Sequence, residues 1–247
     1  MARESDASVS DGDPVAIDEL RHAREAVLER IAAAASRAGR DPGDVTLVAV
    51  SKTVPAVRIR AAVAAGLDVL AENRVQEAEA KRPDVPGATW HLVGPLQSNK
   101  ARRALEVFDS VQSVHDLELA RRLDRLVAET PGRSPFPVLL QVNVDGDPAK
   151  AGFDPRALEE AIGELDGLAA LDVRGLMTIG RLVDDPDAAR GTFGALRELS
   201  TSMRARWARL GPELSMGMSD DFEVAVEEGA TIVRVGRALF GERPPGR

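Results

Sequence analysis

The chain has 247 residues, no cysteine, no tyrosine, and a formal net charge of −8 at pH 7. Without cysteine there is no disulfide framework, no thiolate metal site and no cysteine nucleophile; three scattered histidines (His22, His91, His115) without HxH or HxxxH spacing make a metal site improbable. The acidic balance argues against non-specific binding of nucleic acid or anionic membranes, and no apolar run approaches a membrane span.

Residues 1–12 are small, polar and acidic, the opposite of a signal-peptide start, and are expected to be a disordered tail on a soluble cytoplasmic protein, by default a monomer. Asp13-Pro14 then reads as N-cap and first position of a helix whose apolar face is Ile17, Leu20, Val27 and Ile31, stopped by Gly39. After this leader, strand-like and helix-like segments alternate. Strands are predicted at Val45–Val50, Asp68–Ala71, Trp90–Val93, Asp109–Val114, Val138–Val144, Gly175–Thr178, Leu214–Met218 and Ile232–Val235. Between them lie helical patterns such as Ala56–Ala65, Ala101–Val107, Leu117–Ala128, Pro155–Leu165, Pro186–Ala205 and Asp221–Glu228. Strict alternation implies a parallel sheet, and eight units imply an α/β fold of one domain, a (β/α)8 TIM barrel over residues 13–247 with an extra N-terminal helix. An open doubly wound sheet is the alternative, disfavoured because no GxGxxG follows the first strand.

The chemically informative residues collect where these strands end. Lys52 closes the buried run Leu47-Val48-Ala49-Val50, beside low-dielectric packing that favours the neutral, nucleophilic amine. The second strand ends in Glu72-Asn73, the third in Gly94-Pro95, the fifth in Asn143, and the sixth in Met177-Thr178. The seventh ends in Met216-Gly217-Met218-Ser219 and the eighth in Val235-Gly236-Arg237. Barrel active sites form at that face, and phosphates often bind after strands seven and eight. Ser219 is expected to N-cap the next helix, with Asp220 and Asp221 turned to solvent, and Gly236 to admit a close backbone approach. Arg234, two residues before Gly236, should face the same side; it would meet a ring nitrogen or a carboxylate, or form an internal salt bridge, for example with Glu72. An aldehyde-reactive lysine, a phosphate cup and an arginine for a heteroaromatic nitrogen together describe pyridoxal 5′-phosphate.

The ordered segments Ala49-Val50-Ser51-Lys52-Thr53, Glu72-Asn73-Arg74-Val75-Gln76-Glu77, Trp90 to Lys100, Arg174 to Ile179, Leu214 to Asp221 and Val233 to Gly241 resemble the YggS/PROSC family of pyridoxal phosphate homeostasis proteins. The likeness runs from about the leader helix to the C-terminus. It implies a single domain like the N-terminal barrel of alanine racemase, with pyridoxal 5′-phosphate held as an imine on Lys52. It further implies phosphate contacts at Ser219, Gly236 and Arg237, the ring nitrogen facing Arg234, and Asn73 beside the cofactor. With Met177, Ser215 and Met218 these make the expected cofactor-binding set, and neither a catalytic residue nor a metal ligand is expected. Family members have no established turnover and are thought to buffer the cofactor or hand it to apo-enzymes. Two positions depart from the pattern: Ala71 stands where glycine is usual, and Arg237 where a small hydroxylated residue is more frequent. The stretch from Asn143 to Gly152 matches another part of the family with a second lysine, Lys150, which would either take the aldehyde transiently or be solvated in a mobile loop, the solvated reading being favoured.

The alternative is a racemase-like enzyme acting on amino acids. It is disfavoured because racemases of the related fold use a tyrosine as one of two opposed bases and complete the site with a second domain. Here there is no tyrosine, and only Glu242 to Arg247 follow Gly241. His91 is the best remaining candidate for a second base, its direction depending on the strand register. A sugar-phosphate aldolase with a lysine imine is a third class, in which Arg234 would have no role.

Overall fold

The computed structural model describes residues 13–130, 132, 135–180 and 185–242. The expected tail lies outside the described residues, as do residues 243–247.

Helix α1 (Pro14–Arg37) opens as expected: Asp13 accepts a hydrogen bond from the Val15 N–H at 3.1 Å, and Pro14 occupies the first turn. It buries Leu20, Val27, Ile31, Ala34 and Ala35, and Gly39 leaves it in the left-handed region at φ 66°. Eight strands follow: β1 (Thr46–Val50), β2 (Val69–Glu72), β3 (Thr89–Leu92), β4 (Ser110–Val114), β5 (Phe136–Gln141), β6 (Leu171–Met177), β7 (Glu213–Ser215) and β8 (Ile232–Val235). Each pairs in parallel with the next, and β8 returns to β1, closing the barrel. The closed order fits the barrel reading and excludes the doubly wound sheet.

Outside the barrel lie α2 (Ala56–Ala64), α3 (Val75–Lys81), α4 (Ala101–Val107), α5 (Leu117–Ala128), α6 (Pro155–Glu160), α7 (Ile162–Asp166), α8 (Arg190–Arg204), α9 (Phe222–Glu227) and α10 (Arg237–Phe240). Helices α4 and α5 fall where the periodicity put them. The single helix expected over Pro155–Leu165 is broken at Ala161 into α6 and α7. The first turn of the one expected from Pro186 is a 3-10 turn, Pro186–Ala189.

Strand β8 falls as expected and β1 to β4 lie within one residue of it, while β5, β6 and β7 differ by more, for local reasons. Strand β5 starts at Phe136 and includes Pro137, which reads as a turn residue but is tolerated near a strand start. Strand β6 starts at Leu171, because Arg174 is an extra residue between the pairs Val138–Val173 and Leu139–Gly175 and breaks the alternation. Strand β7 ends at Ser215, because Gly217 turns away at φ 89° with its α-carbon against α9; an added Cβ would stand 2.9 Å from the Phe222 Cα.

The apolar residues form two separate packings. A large outer core lies between strands and helices. A small inner cluster, Val48, Ala71, Val93, Leu139, Met177 and Ile232, fills the barrel itself. Ala71, one of the two departures, is fully buried in that inner cluster.

Candidate functional site

Membership of the inner cluster shows which way each strand faces. Val48 and Val50 face the barrel interior and Ser51 the helix side, and Lys52 follows in the turn that leaves the C-terminal end of β1. The Ser51 side chain agrees: buried on the helix side, its hydroxyl donates to Glu72 Oε1 at 2.8 Å. The same alternation turns Ala71 inward, Glu72 outward and the half-buried Asn73 inward. Immediately after Lys52, Thr53 sits at φ 66°, a left-handed conformation that a β-branched residue adopts only under constraint. The turn closes with Val54 N–H donating to Ser51 O at 3.0 Å.

Beneath this turn, Lys81 of α3 anchors the ends of β1 and β2. Its ammonium donates to Glu72 Oε1 at 2.7 Å and to the Ser51 carbonyl at 3.0 Å. Glu72 is fully buried and its Oε2 has no partner among the described residues. Burial raises its pKa, opposed chiefly by the Lys81 hydrogen bond and charge.

Across the barrel Arg234 is buried, and no carboxylate lies within ion-pair distance of it among the described residues. The expected salt bridge to Glu72 is absent, since Glu72 faces outward and pairs with Lys81. Instead the guanidinium donates to Ser215 Oγ at 2.7 Å and to the Thr178 carbonyl at 2.8 Å. Desolvation pulls its pKa down to about 10, with Asp221 opposing, so it stays charged at neutral pH. Ser215 donates to Gln112 Oε1 at 2.7 Å, and Gln112 Nε2 lies 2.8 Å from His91 Nδ1.

The direction of His91 is thereby settled: it faces Gln112 of the neighbouring strand. Burial lowers its pKa to about 4. A base depressed in the folded state contributes stability that is present above its ordinary value of 6.5 and lost as pH falls through 4. We expect acidification across that window to cost roughly 2–3 kcal/mol, and His91→Gln to flatten the loss. Urea unfolding at intermediate pH values checks this, and equal slopes in both proteins would contradict it.

The corner between β7 and β8 brings Ser219 to Gly236. Ser219 Oγ accepts from the Gly236 N–H at 3.3 Å, and α10 starts one residue later at Arg237. Gly236 lies against β1: an added Cβ would stand 3.2 Å from the Val50 carbonyl, two residues before Lys52. Ser219 is not the helix cap expected of it. Asp221 is the N-cap residue of α9 and makes no side-chain cap bond; its carboxylate reaches back to the Met218 N–H at 2.6 Å. Asp221 is therefore buried rather than turned to solvent, and desolvation raises its pKa. Asp220 is exposed and pairs with Arg237, whose side chain is also exposed.

Of the residues singled out in the sequence, Lys52, Asn73, Met177, Ser215, Met218, Ser219, Arg234, Gly236 and Arg237 all lie at the strands' C-terminal ends or on the loops that leave them. Met177 is buried in the inner cluster, paired in register with Ser215. Lys150 departs from expectation. Its ammonium donates to the Ile179 carbonyl at 3.1 Å and lies 3.7 Å from Asp147, and Asn143 ties its loop through bonds to Asp147 and Lys150 backbone. Sequence reasoning missed Gln112, Gln141 and Lys81, and noted Thr178 only as a strand end. Gln141, 3% exposed and paired with Met177, faces inward with Oε1 unpartnered among the described residues. Alternation within β4 and β5 was the available signal for the two glutamines, but runs ending in polar residues gave no reason to look inward.

No helix among the described residues is long and apolar enough to cross a membrane, and no cluster of three or more metal-ligating side chains occurs among them. The family model for the alanine racemase N-terminal domain matches residues 23–244. The pyridoxal phosphate homeostasis protein of Pseudomonas aeruginosa is 46% identical over 227 residues, covering 89% of this chain and 94% of the relative. That of Escherichia coli is 38% identical over 236 residues, covering 92% and 98%. Among solved structures, PipY of Synechococcus elongatus with PLP bound superposes with a TM-score of 0.76 at 45% identity, covering 87% of this chain and all of that one. Alanine racemase from Corynebacterium glutamicum, at 18% identity, shares the fold with a TM-score of 0.69, covering 92% of this chain and 62% of the racemase. The matched span and these identities place the chain in the alanine racemase N-terminal domain family and, within it, among the pyridoxal phosphate homeostasis proteins.

Proposed function

We propose that this protein binds pyridoxal 5′-phosphate at the C-terminal mouth of its barrel, holds it as an imine on Lys52, and serves its homeostasis and delivery to apo-enzymes without amino-acid turnover. The observation that carries the reading is Arg234: a buried cation with no carboxylate within ion-pair distance among the described residues, in the mouth where Lys52 leaves β1. Such a charge suits a ligand that supplies an acceptor. The inward Gln141 Oε1, unpartnered among the described residues, fits the same mouth holding a polar ligand. Support from relatives is the PLP-bound PipY and the names of the curated relatives.

The cofactor supplies an electrophilic aldehyde on a pyridine ring that carries a phosphate. Lys52 would hold the cofactor through that aldehyde carbon. Arg234 would donate a hydrogen bond to the ring nitrogen while keeping its own proton, an arrangement suited to holding the cofactor rather than to decarboxylation. Ser219 and the Gly236 and Arg237 backbone receive the phosphate, Arg237 through its N–H rather than its exposed side chain. Asn73, Met177, Ser215 and Met218 complete the set. The reading keeps the cytoplasmic monomer expected from the sequence.

Ser219→Ala should weaken pyridoxal phosphate binding by about 1.5–3 kcal/mol, the worth of a hydrogen bond to a charged group. Gly236→Val should weaken it further, since its side chain would crowd the Val50 carbonyl and the space beside it. Fluorescence titration reads both, and unchanged affinities would reject the phosphate corner. The function itself is tested by incubating the loaded protein with L-amino acids in deuterium oxide. Release of the cofactor to an apo-enzyme without D-isomer or amine products is expected. Turnover at roughly 1 s⁻¹ or faster, abolished by Lys52→Ala, would instead establish a racemase-like enzyme.

A further inference from the structure

We infer that Gln112 is a positioning residue: through a one-way hydrogen-bond chain it fixes the orientation of Arg234 and so sets how strongly the site selects a ligand with a ring-nitrogen acceptor. This rests on the reading above that Arg234 faces the ring nitrogen.

The direction of the chain follows from donor inventory alone. A guanidinium has no acceptor, so at the 2.7 Å Arg234–Ser215 bond the serine oxygen must accept. The single hydroxyl proton of Ser215 is then left to donate, and its partner at 2.7 Å is Gln112 Oε1. With its oxygen on that side, the Gln112 amide presents Nε2 to His91 Nδ1 at 2.8 Å, which must accept. A neutral His91 therefore carries its proton on Nε2. Every member of the chain has one arrangement open to it, and four strands are involved: β8, β7, β4 and β3. Gln112 and Ser215 are fully buried, so water offers no alternative partner.

Without an acceptor at position 112, the Ser215 hydroxyl is free to rotate, and its proton competes with the Arg234 N–H for the same line. The guanidinium then keeps only the Thr178 carbonyl as a fixed partner and loses its preferred orientation toward the mouth. A side chain that accepts from Ser215 in the same place, as a glutamate does, preserves the direction.

The test compares pyridoxal phosphate with its deaza analogue, in which CH replaces the ring nitrogen, in wild type, Gln112→Met and Gln112→Glu. Wild type should prefer the natural ligand by about tenfold or more, the value of one such bond. Gln112→Met should compress the preference several-fold, and Gln112→Glu should retain it. Nitrogen NMR of the ligand-free wild type should show His91 protonated at Nε2. A wild type indifferent to the ring nitrogen overturns the Arg234 reading itself. A discriminating wild type with an equally discriminating Gln112→Met overturns only the role of Gln112, and so does a His91 protonated at Nδ1. If Gln112→Met fails to fold, Ser215→Ala cuts the same chain, and undiminished preference there is equally fatal.

Discussion

Lys52→Ala should lose retained pyridoxal phosphate, with affinity falling about 100-fold or more as the covalent link is removed. Borohydride reduction of the wild type should place the pyridoxyl adduct on the peptide that contains Lys52. Three features single out this amine. It stands in the turn that leaves the C-terminal end of β1, at the barrel mouth. The left-handed Thr53 makes the chain turn directly after it, with Ser51 pinned through both its hydroxyl and its carbonyl. And Gly236 brings the β8 end against the backbone of Val50, so the proposed phosphate corner and the amine share one edge. Lys150, the second lysine the resemblance offers, lies instead in the loop after β5, against Ile179 and Asp147. An adduct found mainly on Lys100 or Lys150 would sink the assignment.

Lys81→Met should destabilise the protein by about 3–5 kcal/mol near neutral pH, the usual cost of removing one partner from a buried ion pair. Glu72 would be left buried with the Ser51 hydroxyl alone, and its Oε2 already lacks a partner among the described residues. The carboxyl answers by holding its proton. Its folded pKa is already raised above the ordinary 4.5 by burial, and loss of Lys81 removes the main opposing influence. An acid raised on folding gives stability that is present below its unfolded pKa and lost as pH rises through the folded one. The penalty in Lys81→Met should therefore be small near the ordinary value of 4.5 and grow toward neutrality. Adding Glu72→Gln should recover part of it. Urea unfolding at acid and neutral pH decides the matter; a penalty that does not change with pH contradicts the proposed burden on Glu72.

What the sequence made legible was whatever depends on one strand at a time. The alternation of segments, the leader helix cap at Asp13 and the strand that ends at Val50 just before Lys52 are all local properties. What depends on neighbours was not legible. Whether Arg234 meets Glu72 or Ser215 is decided by which face of β2 carries Glu72 and by the register that sets Ser215 against β8. Gln112 acquires its importance only when barrel closure brings β4 and β7 within one side chain of each other. Asp221 misled for a similar reason: its position suggested a solvated helix start, but the sharp turn at Gly217 folds the segment back so that its carboxylate serves the Met218 N–H. Lys81 lies on a short helix whose pattern was too brief to register as an element, seven residues in all.

The inner cluster has a consequence for traffic. Val48, Ala71, Val93, Leu139, Met177 and Ile232 close the barrel's bore, so nothing passes through the molecule from one end to the other. A ligand held at the mouth must depart by the door it came in through. If the protein delivers its ligand as proposed, loading and unloading are mutually exclusive events at one surface, since a recipient docked over the mouth blocks refilling until it leaves. Delivery would then run in alternating half-cycles, its throughput capped by how quickly each visitor vacates the doorway.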